Sequence, residues 1–257
     1  MNGVVWCHPA GSKLGNASMG FLHAYAHAKR VGATFVCTPW IGEQVFRLPE
    51  YGRSTKACEA FPVRSELDLR EDETNVRITG YAQNEKATRI YTKDEAIEWL
   101  KPRREESDIL KYFRFTPHQR VAAHLRRGDY IGYGYPMVSM ASYDRAIAHH
   151  KLNAHLSYNF ETFLLISELC PQVEMGLPPQ LSFLTDFTIM QTSSVLLRSN
   201  SSFSWLAGLL SKGRVFSPVI TPDMKGGVEH DCAFIEGNWP RLSCLEGCGD
   251  LKIKGET

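Results

Sequence analysis

Each half of this chain contains a strand, a loop of small or hydroxyl residues, a helix and a second strand, and few folds accept that order twice. In the first half Val4-Val-Trp-Cys7 is an apolar β-type run followed by a Pro-Ala-Gly-Ser loop. A helix is predicted over Ala17–Val31, with Phe21, Tyr25, Ala28 and Val31 near helical spacing. Gly32 suits the position just past a helix end, and Ala33–Cys37 reads as the next strand. In the second half Val195–Arg198 reads as a strand, Phe203–Ser211 as a helix and Val215–Ser217 as a closing strand. A strand, crossover helix and strand almost always place the two strands in parallel. The expected class is therefore α/β, with two facing Rossmann-like domains built on parallel sheets.

The remaining segments fit between these units. Val76–Gly80 and Thr88–Tyr91 read as strands, and Thr92 caps a helix running to Leu100. The charge run Glu66–Glu73 reads as a solvated loop. Strands are expected at 120–125 and Thr162–Ser167, a loop to Pro136, a helix over Ser142–Lys151, and a helix capped by Asp186. The polar stretch around Thr116–Gln119 marks a boundary, giving domains 1–117 and 118–257.

Composition narrows the function classes. The 257 residues are 43% hydrophobic and 22% charged, with a formal net charge of +1. Such a balance argues against a broad nucleic-acid-binding face and leaves room for one small basic pocket. No stretch is long and apolar enough to span a bilayer, and Met1–Cys7 does not read as a signal peptide, so a cytoplasmic protein is expected. Seven cysteines, an odd number scattered along the chain, suggest free thiols rather than a disulfide framework. His230, Cys232, Cys244 and Cys248 are soft enough to hold zinc, but their spacing is not that of a common knuckle.

Two strings carry chemistry. Val121-Ala-Ala-His-Leu-Arg-Arg-Gly-Asp129 is a buried strand that ends in two cations, and in open α/β sheets ligands sit outside the carboxyl ends of strands. Arginine's planar fork suits phosphate oxygens; the plain alternative is a solvated basic pair. Alternation along the strand turns Arg127 away from Arg126, leaving it to hold Asp129 or the loop. Downstream, Ser199-Asn-Ser-Ser-Phe203 lies between a strand and a helix start and offers hydroxyls and open N–H groups to an anion. His124 as a packed strand residue, Asp186 as a helix cap and the serines as capping residues are the structural alternatives. Trp205 and Phe187 read as core.

Together with Asp186-Phe-Thr-Ile-Met190 and Ser199-Asn-Ser-Ser-Phe-Ser-Trp205, the His124-Leu-Arg-Arg-Gly-Asp129 string resembles the alpha-1,2-fucosyltransferase family. There the motifs read His-x-Arg-Arg-Gly-Asp, then Asp-Phe-x-x-Met, an apolar strand and Ser-Asn-Ser-Ser/Thr-Phe-Ser-Trp. Gly11-Ser-Lys-Leu-Gly-Asn16 is a weaker match to the family's Gly-Arg-x-Gly-Asn, with Lys13 in place of the arginine. The resemblance is dense over 119–215 and around 9–37, and thin between about 50 and 110. It implies a GT-B-like pair of domains, the first binding the acceptor and the second the nucleotide sugar. It also implies that Arg126 contacts the β-phosphate of GDP, that Asn200, Ser201, Ser202 and Phe203 belong to the diphosphate turn, and that His124 and Asp186 read the guanine. Lys13, Gly15 and Asn16 would face the fucose and the acceptor across the cleft.

The implied reaction is inverting transfer of L-fucose from GDP-β-L-fucose to a glycan hydroxyl, α-1,2 on a galactose-like acceptor. Without an Asp-x-Asp pair after a strand, no metal or other cofactor is expected. Asp129 and Glu43 are the candidate bases, with a cap or surface role as the structural alternative for each. The alternatives are a transferase for another GDP-deoxyhexose or another linkage, and a nucleotide-sugar-binding module without turnover.

Overall fold

The computed structural model describes residues 3–9, 13–54, 59–65, 67–110, 121–150, 152, 163–167, 183–221 and 223–238. The predicted boundary at Thr116–Gln119, the loop residues Gly11 and Ser12, and Cys244 and Cys248 lie outside them. The first half contains β1 (Val4–Cys7), α1 (Leu14–Val31), β2 (Thr34–Cys37), α2 (Gly42–Val45), β3 (Phe46–Arg47), β4 (Gly52–Arg53), β5 (Val63–Ser65), β6 (Val76–Thr79), α3 (Glu85–Thr88), α4 (Lys93–Trp99), β7 (Lys101–Pro102) and α5 (Glu106–Leu110). The second contains β8 (Val121–Leu125), α6 (Gly128–Tyr133), β9 (Met137–Val138), α7 (Met140–His149), β10 (Phe163–Ser167), α8 (Leu184–Thr192), β11 (Val195–Leu197), α9 (Ser202–Leu209), β12 (Arg214–Pro218), β13 (Glu229–His230) and β14 (Phe234–Glu236).

Each half builds a five-stranded sheet, in the orders β4-β2-β1-β6-β5 and β10-β8-β11-β12-β14. The first is parallel throughout. The second is parallel except for its edge strand β14, which runs antiparallel to β12. Both sheets, with helices packed on them, form the expected pair of Rossmann-like units.

The second sheet shows why Val121–Leu125 reads as a continuous apolar run. Ala122 packs into a core with Val5, Phe21, Phe187, Leu196 and Leu206, whereas Val121, Ala123 and Leu125 pack on the other face with Tyr143, Ile147 and Phe216. A parallel strand covered on both faces has no polar side to show. The first core draws residues from both halves, and the two-halved structure closes where α1 lies along α9.

Chain order makes β8 and β11 a switch point. From β8 the chain passes to β10 on one side, and from β11 it passes through α9 to β12 on the other. Loops that leave neighbouring strands in opposite directions open a crevice at their carboxyl ends. The crevice here is flanked by Arg126 and Ser199.

Several local expectations differ from the structure. Helix α1 begins at Leu14, three residues early, so Gly15 and Asn16 belong to its first turn rather than to a loop. Gly32 ends it at φ 64, the left-handed geometry expected of a glycine there. Thr88–Tyr91 is not a strand but the end of α3 and a turn, while Thr92 does form a reciprocal capping box with Glu95. The glycines after β8 do not break the chain into a loop, because Gly128–Tyr133 forms α6 and Gly134 at φ 67 stops it. Within the charge run Glu73 is buried, bonded to Arg64 at 2.9 Å, and its carbonyl meets His27 Nε2 at 2.8 Å. That run anchors β5 to α1 and is not wholly solvated.

Candidate functional site

The parallel register of β8 and β11 carries the two motif strings to one place. Leu197 pairs with Ala123, so the residues that follow both strands emerge side by side. His124 Nδ1 lies 2.7 Å from Ser199 Oγ, and Tyr143 donates to the His124 carbonyl at 2.7 Å. Arg126 lies 5.3 Å from the centre of the Tyr130 ring, and the Tyr130 hydroxyl donates to the Asn200 carbonyl. One side chain therefore links the arginine to the serine turn.

The serine turn is organised by its own hydroxyls. Ser201 caps α9, its side chain accepting from the Phe203 N–H at 3.3 Å, and Ser204 donates to the carbonyls of Ser199 and Ser201, both at 3.2 Å. These bonds fix the backbone at the start of α9, and a helix start favours negative charge. The Phe203 ring packs among His124, Phe183 and Phe187 at 5.6–6.0 Å, while its N–H is the one donated to Ser201 Oγ. Capping and anion binding are compatible here, because the cap bonds shape the turn that would bind.

The alternation predicted for the arginine pair is present. Arg127 leaves Arg126 and donates to the Val138 carbonyl at 2.8 Å, with its Nε 3.0 Å from Glu229. It holds the β9 loop.

A third arginine, which no sequence motif marks, lies beside the turn. Arg198 is 3% exposed, donates from Nε to Ser217 Oγ at 2.8 Å, and lines a small cleft with Asn200, Ser201, Ser202, Trp205, Met19 and Gln83. Burial pulls its pKa down to about 9, which leaves it protonated at neutral pH. Its sequence signal was a single cation at the end of an apolar strand. Burial, helped by the charges of Arg126 and Arg198, pushes His124 down to about 3. Both arginines thus raise the positive potential around His124, the partner of Ser199, an arrangement suited to a negatively charged ligand near the serine turn.

The other predicted residues are spread more widely. Asp186 does not cap its helix: the cap position is Phe183, and Asp186 lies in the first turn of α8, half-buried and not in the lining of the Arg198 cleft. Lys13 is exposed at the cap position of α1. Gly15 sits against the serine turn, where an added Cβ would be 2.5 Å from the Ser202 carbonyl carbon and 2.6 Å from Phe203 N. Asn16 Oδ1 accepts from Gln83 Nε2 at 2.6 Å. Phe187 and Trp205 are buried as expected. Glu43 accepts from the Tyr51 hydroxyl at 2.7 Å and lies 3.5 Å from Arg53 Nε, an anchoring role away from the crevice. The side chain of Asp129 lies outside the described residues. No group of three or more His, Cys, Asp or Glu suited to a metal occurs among the described residues. There, His230 Nε2 meets the Lys225 carbonyl at 2.7 Å, and Cys7, Cys37 and Cys232 are free thiols. No helix among the described residues is long and apolar enough to cross a membrane.

Solved structures share this fold. The NodZ alpha-1,6-fucosyltransferase soaked with GDP-fucose matches with a TM-score of 0.55 and 18% identity over 92% of this chain and 100% of that one. The same enzyme co-crystallized with GDP matches with 0.55 and 18% over 93% and 100%. Fucosyltransferase NodZ from Bradyrhizobium matches with 0.52 and 18% over 84% and 96%. The chain has their GT-B fold. No family model and no curated protein sequence matches it.

The two buried histidines predict a pH response. His124 is held near 3, and His23, also lowered chiefly by burial, near 4. Between those values and about 6.5, the ordinary histidine pKa, the unfolded chain takes up protons that the folded one refuses. Stability should therefore be full above about pH 6.5 and fall as pH drops, by up to about 1.4 kcal/mol per unit for each histidine. Urea denaturation at pH 7.5 and 5.5 checks this; equal midpoints would contradict the burial of both rings.

Proposed function

We propose that this chain is an inverting, metal-independent glycosyltransferase that moves L-fucose from GDP-β-L-fucose to a glycan hydroxyl. The observation that carries the reading is the meeting of Arg126 with the turn Asn200–Phe203 at a switch point, through Tyr130 and the His124–Ser199 contact. The named ligands of the NodZ structures, GDP-fucose and GDP, support the same nucleotide.

In this reading the acceptor oxygen attacks C1 of fucose as the bond from C1 to the β-phosphate oxygen breaks. Negative charge grows on the departing diphosphate, and fixed donors aimed at that charge are the main catalytic contribution. Arg126 meets the β-phosphate, the N–H groups at the start of α9 meet the diphosphate, and Arg198 adds positive charge from below. His124, neutral and buried, acts by holding Ser199 and hence the turn. Asp186 is assigned to the guanine N1–H and amino group, two donors that suit the two acceptor oxygens of a carboxylate. Residues 1–117 form the acceptor side and 118–257 the donor side. Lys13 and Asn16, at the start of α1, are assigned to the fucose and the acceptor, with Gly15 setting the approach of that helix. Asp129, three residues after Arg126 in sequence, is the candidate base. The motif strings favour an α-1,2 linkage on galactose, and the NodZ name an α-1,6 one.

Incubation with GDP-fucose and lactose or N-acetyllactosamine tests the reading. Release of GDP with a fucosylated product is expected, product linkage separates α-1,2 from α-1,6, and added chelator should leave the rate unchanged. GDP binding with neither product nor hydrolysis would instead favour a binding module. Loss of activity on chelation, restored by manganese, would overturn the metal-independent mechanism.

A further inference from the structure

A second cleft, of about 390 Å³, opens at the carboxyl ends of β1 and β6. Its volume is in the range of small-molecule sites. Its described lining includes His8, Asn16, His23, Thr79 and Tyr81, and contains no Lys, Arg, Asp or Glu. A phosphate or carboxylate ligand would find no countercharge there. A neutral, hydroxyl-rich one would find polar partners.

Two side chains stand out. His23, on α1, is 3% exposed, and its Nδ1 lies 3.1 Å from the Ala87 carbonyl. A carbonyl only accepts, so Nδ1 carries the proton and the neutral ring keeps a lone pair on Nε2. That atom is buried and has no hydrogen-bond partner among the described residues. A buried polar atom left in this state is costly unless a ligand or water satisfies it. Tyr81 is the opposite case: it lines the same cleft and is 55% exposed, an aromatic face held in the open beside polar groups. The C–H face of a pyranose is an apolar surface that such a ring can cover.

We propose that this cleft seats a neutral pyranose ring of the acceptor glycan, with His23 Nε2 accepting a hydrogen bond from a sugar hydroxyl and Tyr81 covering a C–H face. The inference rests on the fucosyl-transfer reading for calling that sugar the acceptor. Its position supports the link. Asn16, in this cleft, accepts from Gln83, which lines the small cleft with Arg198 and Ser202. A sugar seated here lies one hydrogen bond away from the diphosphate turn. His23 remains neutral across the working range, since burial holds it near 4, so its acceptor atom is open at any pH above about 5.

The test uses the full chain, a panel of neutral oligosaccharides including lactose and N-acetyllactosamine, and the variants Tyr81→Ala and His23→Asn. The asparagine can still donate to the Ala87 carbonyl while removing the Nε2 acceptor. Saturation-transfer NMR without nucleotide should show sugar binding to the wild type and at least a tenfold weaker signal-derived affinity in each variant. In turnover, KM for the acceptor should rise at least tenfold, with GDP affinity by calorimetry serving as the control for folding. Should His23→Asn fail to fold, the exposed Tyr81 position decides alone. Wild-type sugar affinity in Tyr81→Ala, or no panel sugar binding to the wild type, overturns the inference. Failure of the donor reading would look different: GDP-fucose would not bind the wild type, whatever the sugars do.

Discussion

Arg126→Ala is expected to lower kcat/KM with GDP-fucose by about a thousandfold, roughly 4 kcal/mol of transition-state stabilisation, and to leave the melting temperature nearly unchanged. The guanidinium stands over Tyr130 at the carboxyl end of β8, beside the serine turn. There it meets charge that grows as the sugar–phosphate bond breaks, so its loss is felt more in the transition state than in the bound substrate. Arg127→Ala is the internal control. That arginine lies next in sequence but is committed to Glu229 and the Val138 carbonyl, so its removal should loosen the β9 loop and change kcat/KM less than tenfold. Steady-state kinetics with thermal melts separates the cases. Near-normal turnover in Arg126→Ala would remove the phosphate role, and equal losses in both variants would mean the effect is structural.

The second large effect is predicted for a methyl group. Gly15→Ala inside a helix would ordinarily stabilise by a few tenths to about 1 kcal/mol through helix propensity. Here the new Cβ would stand 2.5 Å from the Ser202 carbonyl carbon, 2.6 Å from Phe203 N and 2.7 Å from the Ser202 oxygen. Carbon contacts need about 3.5–4.0 Å, and backbone atoms cannot rotate away as a side chain would. Helix α1 must then back off α9 by about 1 Å, a net loss of about 2–3 kcal/mol of the kind seen on overpacking. The displaced turn is the proposed diphosphate seat, where a misplacement of that size costs about a hundredfold in rate. Gly15→Ala should therefore melt several degrees lower and turn over poorly. A variant as stable and as active as the wild type would show that the two helix starts do not pack this closely.

Much of the architecture was legible because it follows from local patterns. The βαβ units, the glycine ending α1, the capping box at Thr92 and the doubly buried strand β8 each arise from residues close in sequence. The site was legible for the same reason where one string held its residues: Arg126 and the turn Asn200–Phe203 follow strands that the pairing brings together. What escaped depends on distant partners. Gly15 reads as a loop residue until α9 is placed against it. Arg198 reads as a strand end until Ser217 Oγ is found accepting from its Nε–H. His23 sits on the buried face of α1, and only the Ala87 carbonyl, far along the chain, fixes which of its nitrogens can accept. Tyr130 was hidden because Gly128–Tyr133, expected as loop, closes into a helical turn that carries its hydroxyl to Asn200.

A crystal structure of the chain soaked with GDP asks most directly whether residues from two motif strings grip one ligand. The expected map has diphosphate oxygens within hydrogen-bonding distance of both the Arg126 guanidinium and the backbone N–H of Ser202. Nucleotide lodged elsewhere, or touching only one of those two groups, would contradict the account.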